Sequence, residues 1–242
     1  MKFIFKLLPP VVLAVAQLSG SALAQTKGVA VAPGPGMTQP SSMSTKASEK
    51  SSPLVRGAEI FETLTETAPV LQATAYKKSL FEFEALYPEI APILRAEEKQ
   101  RLDSLVAGVR TAWRKADRGA LAIESIEIYR LLQESVDYRG QPVPVEVPML
   151  DYAGFKLKAL LLSARPNWKQ VGRTAQEASA WWAAIEPRVT DKSLREAMAH
   201  TVAGIREGAV RKEIKLLRFT AEMDLILVDG LEAFFHSRPA AR

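Results

Sequence analysis

The chain has no cysteine and only two histidines, His200 and His236, among its 242 residues. The first absence excludes disulfides, thiolate metal sites, covalently attached c-type haem, cysteine nucleophiles and attachment of lipid to a lipoprotein cysteine. The second excludes a three-histidine zinc site. Long hydrophobic runs are also lacking: the stretch Leu7 to Leu18 is broken by Pro9, Pro10 and Gln17, and it falls short of the about 20 residues that a membrane span needs. Alternating strand-like patterns are nearly absent, and no Gly-x-Ser-x-Gly elbow, phosphate loop or dinucleotide fingerprint occurs. No catalytic constellation and no cofactor are implied.

What is present begins with an export signature. Lys2 and Lys6 precede the apolar stretch, and Ala22-Leu23-Ala24 places small residues where a signal peptidase reads. We expect a signal peptide over residues 1–24, a periplasmic or secreted mature chain starting at Gln25, and no stable membrane span after cleavage. Residues 25–53, with Pro33-Gly34-Pro35-Gly36 and Ser41-Ser42-Met43-Ser44-Thr45, show no apolar period and read as a disordered Pro/Ser/Gly-rich tether. An exported chain without disulfides is held by its core alone, and 48% hydrophobic residues in a chain of this length suffice to build one.

The net charge of +5 and the sequence pI of 9.4 invite a nucleic-acid reading. Signal and tether each account for two of those positive charges, leaving +1 on residues 54–242. Arg and Lys there are interleaved with Glu and Asp as on a solvated helix face, so a phosphate-binding stripe is rejected and no nucleic-acid partner is expected.

From Leu54 onward apolar residues recur three and four apart in segments rich in Ala, Leu, Glu, Lys and Arg. With prolines as joints, the pattern predicts helices at about 57–67, 69–86, 92–115, 118–138, 149–164, 166–186, 191–209 and 211–237. The fold class is all-α: about eight antiparallel helices in two duplicated four-helix units, residues 54–139 and 149–238, the second packed on the first. Residues 140–148, with prolines at 142, 144 and 148, read as an extended Pro-rich crossover between them.

The duplication rests on spaced landmarks. Val106-Ala107-Gly108-Val109-Arg110 recurs as Val202-Ala203-Gly204-Ile205-Arg206, Thr67-Ala68-Pro69 pairs with Ala164-Arg165-Pro166, and Tyr87-Pro88 pairs with Glu186-Pro187. In the last helix of each unit an offset of 100 aligns Leu121, Glu124, Ile126, Ile128 and Leu131 with Ala221, Asp224, Ile226, Val228 and Leu231. On that alignment Arg110 matches Arg206, and Glu124 matches Asp224.

The aligned stripes supply the candidate binding residues. Asp224 falls on the apolar stripe of Ile214, Leu217, Ala221, Val228, Leu231 and Phe235, and Glu124 on that of Leu121, Ile128 and Leu131. A carboxylate facing a core needs an ion-pair, hydrogen-bond or metal partner. Arg110 and Arg206 are the candidate cations, with a solvated position at the edge of the stripe as a further reading. A metal site of Glu124 and Asp224 helped by His200 or His236 is the sharper alternative, since Glu196–His200 and Glu232–His236 are each spaced four apart. Adjacent Trp181 and Trp182 lie about 100° apart on a helix, so one of them is a candidate for stacking on a ligand while the other packs in the core. Duplicated four-helix bundles in exported chains resemble the imelysin family in organisation. That family's Gly-x-His-x-x-Glu signature is absent, since His200 follows Ala199 and His236 is followed by Ser237, so nothing of its function is carried over.

These readings converge on an exported helical-bundle binding or interaction protein without catalytic activity, holding a partner protein or small ligand between its halves. The alternative is an iron-related or other metal-binding periplasmic protein that uses core carboxylates.

Overall fold

Ser52, Asp117, Asn167 and Asp191 each turn a side-chain oxygen onto a backbone N–H two or three residues ahead, accepting from Leu54 at 3.3 Å, Ala120 at 2.9 Å, Gln170 at 3.2 Å and Leu194 at 3.0 Å. Each begins a helix, because such caps satisfy N–H groups that a first helical turn leaves without partners. The structure, a computed structural model, describes residues 52–237. The expected signal peptide and all but the last two residues of the expected tether lie outside the described residues. Within them the chain is all-α, with eight helices: α1 Pro53–Thr67, α2 Ala73–Ile90, α3 Ala96–Arg114, α4 Arg118–Glu134, α5 Glu146–Leu160, α6 Trp168–Ile185, α7 Lys192–Arg211 and α8 Ile214–His236. A 3₁₀ turn, Glu186–Arg188, follows α6.

Two prolines lie inside helices where the sequence reading set them outside, while Pro69, Pro92 and Pro166, expected in first helical turns, precede α2, α3 and α6 by two to four residues. Pro148 does not belong to the crossover; it is the third residue of α5, within the first turn, where the missing N–H has no carbonyl to serve. The crossover is therefore residues 135–145, built of turns and bends rather than one extended strap. Pro88 lies inside α2 instead of ending it. Ile90, fully buried, and the bond from the Ala91 N–H to the Tyr87 carbonyl oxygen at 2.9 Å show that packing carries the helix across the proline.

Helix α1 packs against α2 and α4, and α3 against α4; in the second half α5 packs against α6 and α8, α6 against α7, and α7 against α8. Side chains draw α2 and α3 together: Tyr76 stacks on Trp113 with ring centroids 4.2 Å apart, Arg110 meets Glu84 at 2.6 Å, and the Tyr87 hydroxyl donates to Asp103 at 2.5 Å. Helices α4 and α1 both touch α5, which joins the halves.

Helix α5 buries twelve of its 15 residues. A helix apolar on every side belongs in the middle of a fold. Tyr152, Phe155 and Ala159 enter the apolar cluster built by α1 to α4. Val147, Leu150 and Ala153 enter a second cluster with Trp182, Val228 and Phe235, while Leu157 and Leu160 enter a third with Val171, Ile205 and Leu217. Gly154 permits the close approach of α8: a Cβ there would lie 2.7 Å from Leu225 Cδ2 and 2.9 Å from Asp224 Oδ2. Gly172, inside α6, has nothing within 4 Å of the same position. Gly172→Ala should gain about 0.5–1 kcal/mol by helix propensity, whereas Gly154→Ala should lose about 1–3 kcal/mol through overpacking. Urea denaturation reads both, and equal effects contradict the close packing of α5 on α8.

Candidate functional site

The α4–α5 junction has two polar faces of opposite design. On one, Lys156, only 6% exposed, places Nζ 2.7 Å from Glu127 Oε1, and the Tyr152 hydroxyl donates to the same oxygen at 2.8 Å. Arg101 reaches Glu127 at 3.3 Å. Arg130 pairs with Glu134 at 2.8 Å and Glu177 at 3.3 Å, and Arg173 joins Glu177 at 3.3 Å. The Arg130 guanidinium also lies over the rings of Tyr152 and Trp181, at 5.0 and 5.6 Å. These groups line a small cavity of about 230 Å³. Burial pushes the Glu127 carboxyl up, but the charge and hydrogen bond of Lys156 and the Tyr152 hydroxyl outweigh it and hold the carboxyl below its ordinary value. Lys156→Met should cost about 1–3 kcal/mol by taking from the part-buried Glu127 its closest cation while Arg101 and Tyr152 remain. In the Lys156→Met/Glu127→Gln double variant a large part of that loss should return, as read by thermal unfolding; no recovery contradicts a paired buried charge.

The other face opens into a cleft of about 870 Å³. Helix α1 contributes Val55, Glu59 and Glu62, α4 contributes Tyr129 and Gln133, and the crossover contributes Tyr138, Pro142 and Val143. Pro148 and Asp151 come from α5, and Val228, Asp229, Glu232 and His236 from α8. Five carboxyl groups thus face one space, and among the described residues no Lys or Arg lines it. Burial, then the negative charges of Glu232, Glu59, Glu66 and Asp229, push Glu62 from 4.5 to about 7. Burial and the Glu62 charge push Asp151 well above the ordinary value, against a hydrogen bond from Tyr129. Glu232 is raised by burial and Asp229, with His236 opposing. The Tyr129 hydroxyl donates to the Pro148 carbonyl oxygen at 3.3 Å, and that of Tyr138 to Gln133 Oε1 at 2.5 Å. Carboxyl groups crowded in this way hold protons at neutral pH or gain from an added cation.

Most residues singled out from the sequence lie elsewhere. Glu124 is partly buried on α4 against Gly108 of α3, and its carboxyl is raised by burial against the opposing charge of Lys156. Asp224 is fully buried beside Gly154, and neither carboxyl oxygen has a hydrogen-bond partner. Burial and then the nearby Asp151 push it well above the ordinary value. Arg110 does not neutralise Glu124 but pairs with Glu84 on the surface, and Arg206 is exposed on α7. Trp182 is packed in the second apolar cluster, while Trp181 sits edge-on to Tyr152 at 6.0 Å; neither lines the cleft or the small cavity. His200 is exposed on α7, and Glu196, four residues before it, pairs with Lys192 instead. Of the four metal candidates only His236 lines the cleft. Glu124, Asp224, His200 and His236 are not brought together, and among the described residues no group of three His, Asp or Glu side chains converges to hold a metal ion.

In the two repeated motifs a Cβ at Gly108 would meet Glu124 Oε2 at 2.7 Å, and one at Gly204 would meet Thr220 Cγ2 at 2.7 Å; both members of the second contact stand 96 positions after those of the first (108 to 204, 124 to 220). The cleft acids left only a faint sequence signal: Glu59 with Glu62 and Asp229 with Glu232 are each three apart, a spacing that puts both on one helix face. No protein-family model matches the chain, and neither a curated relative nor a solved structure is similar to it.

Because Glu62 is raised in the folded chain, its ionisation weakens folding as pH rises from about 4.5 to about 7. Glu62→Gln removes that component. Its stabilisation over the parent should be larger at pH 8 than at pH 5, by a Tm difference of about 2–4 °C, the size expected for about 1 kcal/mol in a chain of this length. A difference that does not change with pH contradicts the crowding of the cleft carboxyls.

Proposed function

We propose that this chain is an exported, non-catalytic binding protein built from two duplicated, antiparallel four-helix units, with a small ligand held in the cleft between them. The observation that carries the reading is the cleft itself: α1 and α4 of the first unit and α5 and α8 of the second wall a space of about 870 Å³, within the range of small-molecule sites. Export is supported by Lys2, Lys6 and Ala22-Leu23-Ala24.

Duplication is supported by matched local geometry. The first unit has helices of 15, 18, 19 and 17 residues, and the second of 15, 18, 20 and 23. Left-handed residues follow α3 and α7 at Ala116, φ 54°, and Lys212, φ 58°. The Asp117 N–H reaches the Ala112 carbonyl oxygen at 3.0 Å, and the Glu213 N–H reaches that of Gly208 at 2.9 Å. Each partner in the second set stands 96 positions after the first (116 to 212, 117 to 213, 112 to 208). A helix end closed by a non-glycine left-handed residue is uncommon, so the same device at the same spacing argues for one ancestral hairpin.

Filling the cleft tests the binding reading. Val55→Trp places a large ring on the α1 wall, and ligand-observed NMR with a library of mixed charge compares it with the parent. Compounds that bind the parent should lose at least about tenfold in affinity. A library without any binder sensitive to Val55→Trp contradicts a ligand site between the halves.

A further inference from the structure

We propose that the outer face of α8 is a self-association surface, on which a second copy of this chain packs its own α8, antiparallel, about a twofold axis near Glu222. Helix α8 packs against α5 and α7 and buries Leu217, Ala221, Asp224, Val228, Leu231 and Phe235. On its other side Phe219 and Ile226 are 61% and 62% exposed, and Ala233, also exposed, follows seven residues after Ile226. Residues seven apart share a helix face, so two large apolar groups and a small one form one stripe. A single exposed apolar residue needs no explanation, whereas an aligned set marks a contact surface.

The first half contains the same kind of face in use. Counted by the spacing of 96 between the contacts of Gly108 with Glu124 and of Gly204 with Thr220, Phe219, Met223 and Ile226 match Ile123, Glu127 and Arg130 of α4, an equivalence that rests on the duplication proposed above. Those three residues of α4 hold the second half: Ile123 packs on the cluster of Leu157 and Val171, Glu127 pairs with Lys156 of α5, and Arg130 pairs with Glu177 of α6. Helix α4 therefore packs against α1, α3 and α5, while α8, among the described helices, packs against α5 and α7. The face that docks in the first half stands open in the second, and its two charged positions have become Met223 and Ile226. Terminal units of a repeat array keep a polar outer face when they end the array; this one is apolar.

The charges beside the stripe select the occupant. Lys215 and Arg218 flank it near the N-terminal end of α8, and Glu222, Asp229 and Glu232 toward the C-terminal end. A parallel copy would set like charges side by side. An antiparallel copy brings Phe219 against Ile226 of the second copy and Lys215 against Asp229 of the second copy, each contact twice per dimer because the interface is isologous. Glu222 then lies beside its own counterpart at the axis, an unfavourable contact that marks this arrangement.

Sedimentation equilibrium of the purified chain tests the proposal. Two crossed helices bury less than a standard interface, so the dimer should form in the micromolar range. Phe219→Asp/Ile226→Asp should abolish it, with little change in Tm where the parent is monomeric, since both side chains are exposed in the single copy. Lys215→Glu should weaken the dimer at least about tenfold, Lys215→Glu/Asp229→Lys should restore it, and Glu222→Gln should tighten it. The chain has no cysteine, so Glu222→Cys should join two copies through a short bis-maleimide, whereas Lys215→Cys, about 21 Å from its counterpart along the helix axis, should not. A chain that stays monomeric, or a dimer indifferent to Phe219→Asp/Ile226→Asp, overturns the proposal. A monomer whose Tm falls in that double variant shows the face covered by another segment of the same chain and overturns it as well. Equal cross-linking at both cysteine positions shows a parallel pair and overturns the antiparallel assignment. Val55→Trp reads the cleft separately, so a monomeric chain leaves the ligand site and the duplication standing.

Discussion

Burial of α5 on every side is the constraint from which the rest of the structure follows. A helix enclosed by α1, α4, α6 and α8 cannot keep polar side chains in bulk water, so each must find a partner or a cavity. Lys156 and Tyr152 find Glu127, and Asp151 faces the cleft. Gly154 gives up its side chain so that α8 can approach. Since α5 feeds all three apolar clusters, loosening it would disturb both halves at once.

The two polar faces beside α5 then divide the work. The ion-paired face is dense and satisfied, with aromatic rings under the Arg130 guanidinium, and it fixes the position of α4 and α6 relative to α5. The acidic cleft on the other face gathers five carboxyl groups with no Lys or Arg among the described residues, and the raised Glu62 weakens folding as pH rises toward 7. Asp224 is a different case. It is buried without a hydrogen bond and lines neither of the two cavities beside α5. We have no physical account of why an acid stands there.

The helices were legible because their signals are local. Apolar recurrence and cap residues such as Asp117 and Asp191 act within one turn, and all eight helices were anticipated. Pro88 and Pro148 misled because a proline forbids a helix interior only when packing does not compensate and only beyond the first turn. A shift of four residues leaves a helix showing the same face, so apolar matching alone does not fix a register between the two halves, whereas the contacts of Gly108 with Glu124 and Gly204 with Thr220 stand 96 positions apart. The cleft was not legible. Glu59 and Glu62, Asp151, and Asp229 and Glu232 are far apart along the chain, and each group alone resembles a solvated helix face; tertiary packing around α5 makes them neighbours.

The most direct test of this division is the titration of individual carboxyl groups by ¹³C NMR of the folded chain. If one face of α5 carries built-in counter-charges and the other lacks them among the described residues, Glu62 should titrate near 7 while Glu127, paired with Lys156, titrates below the ordinary glutamate value. Two glutamates that titrate together near 4.5 would contradict it.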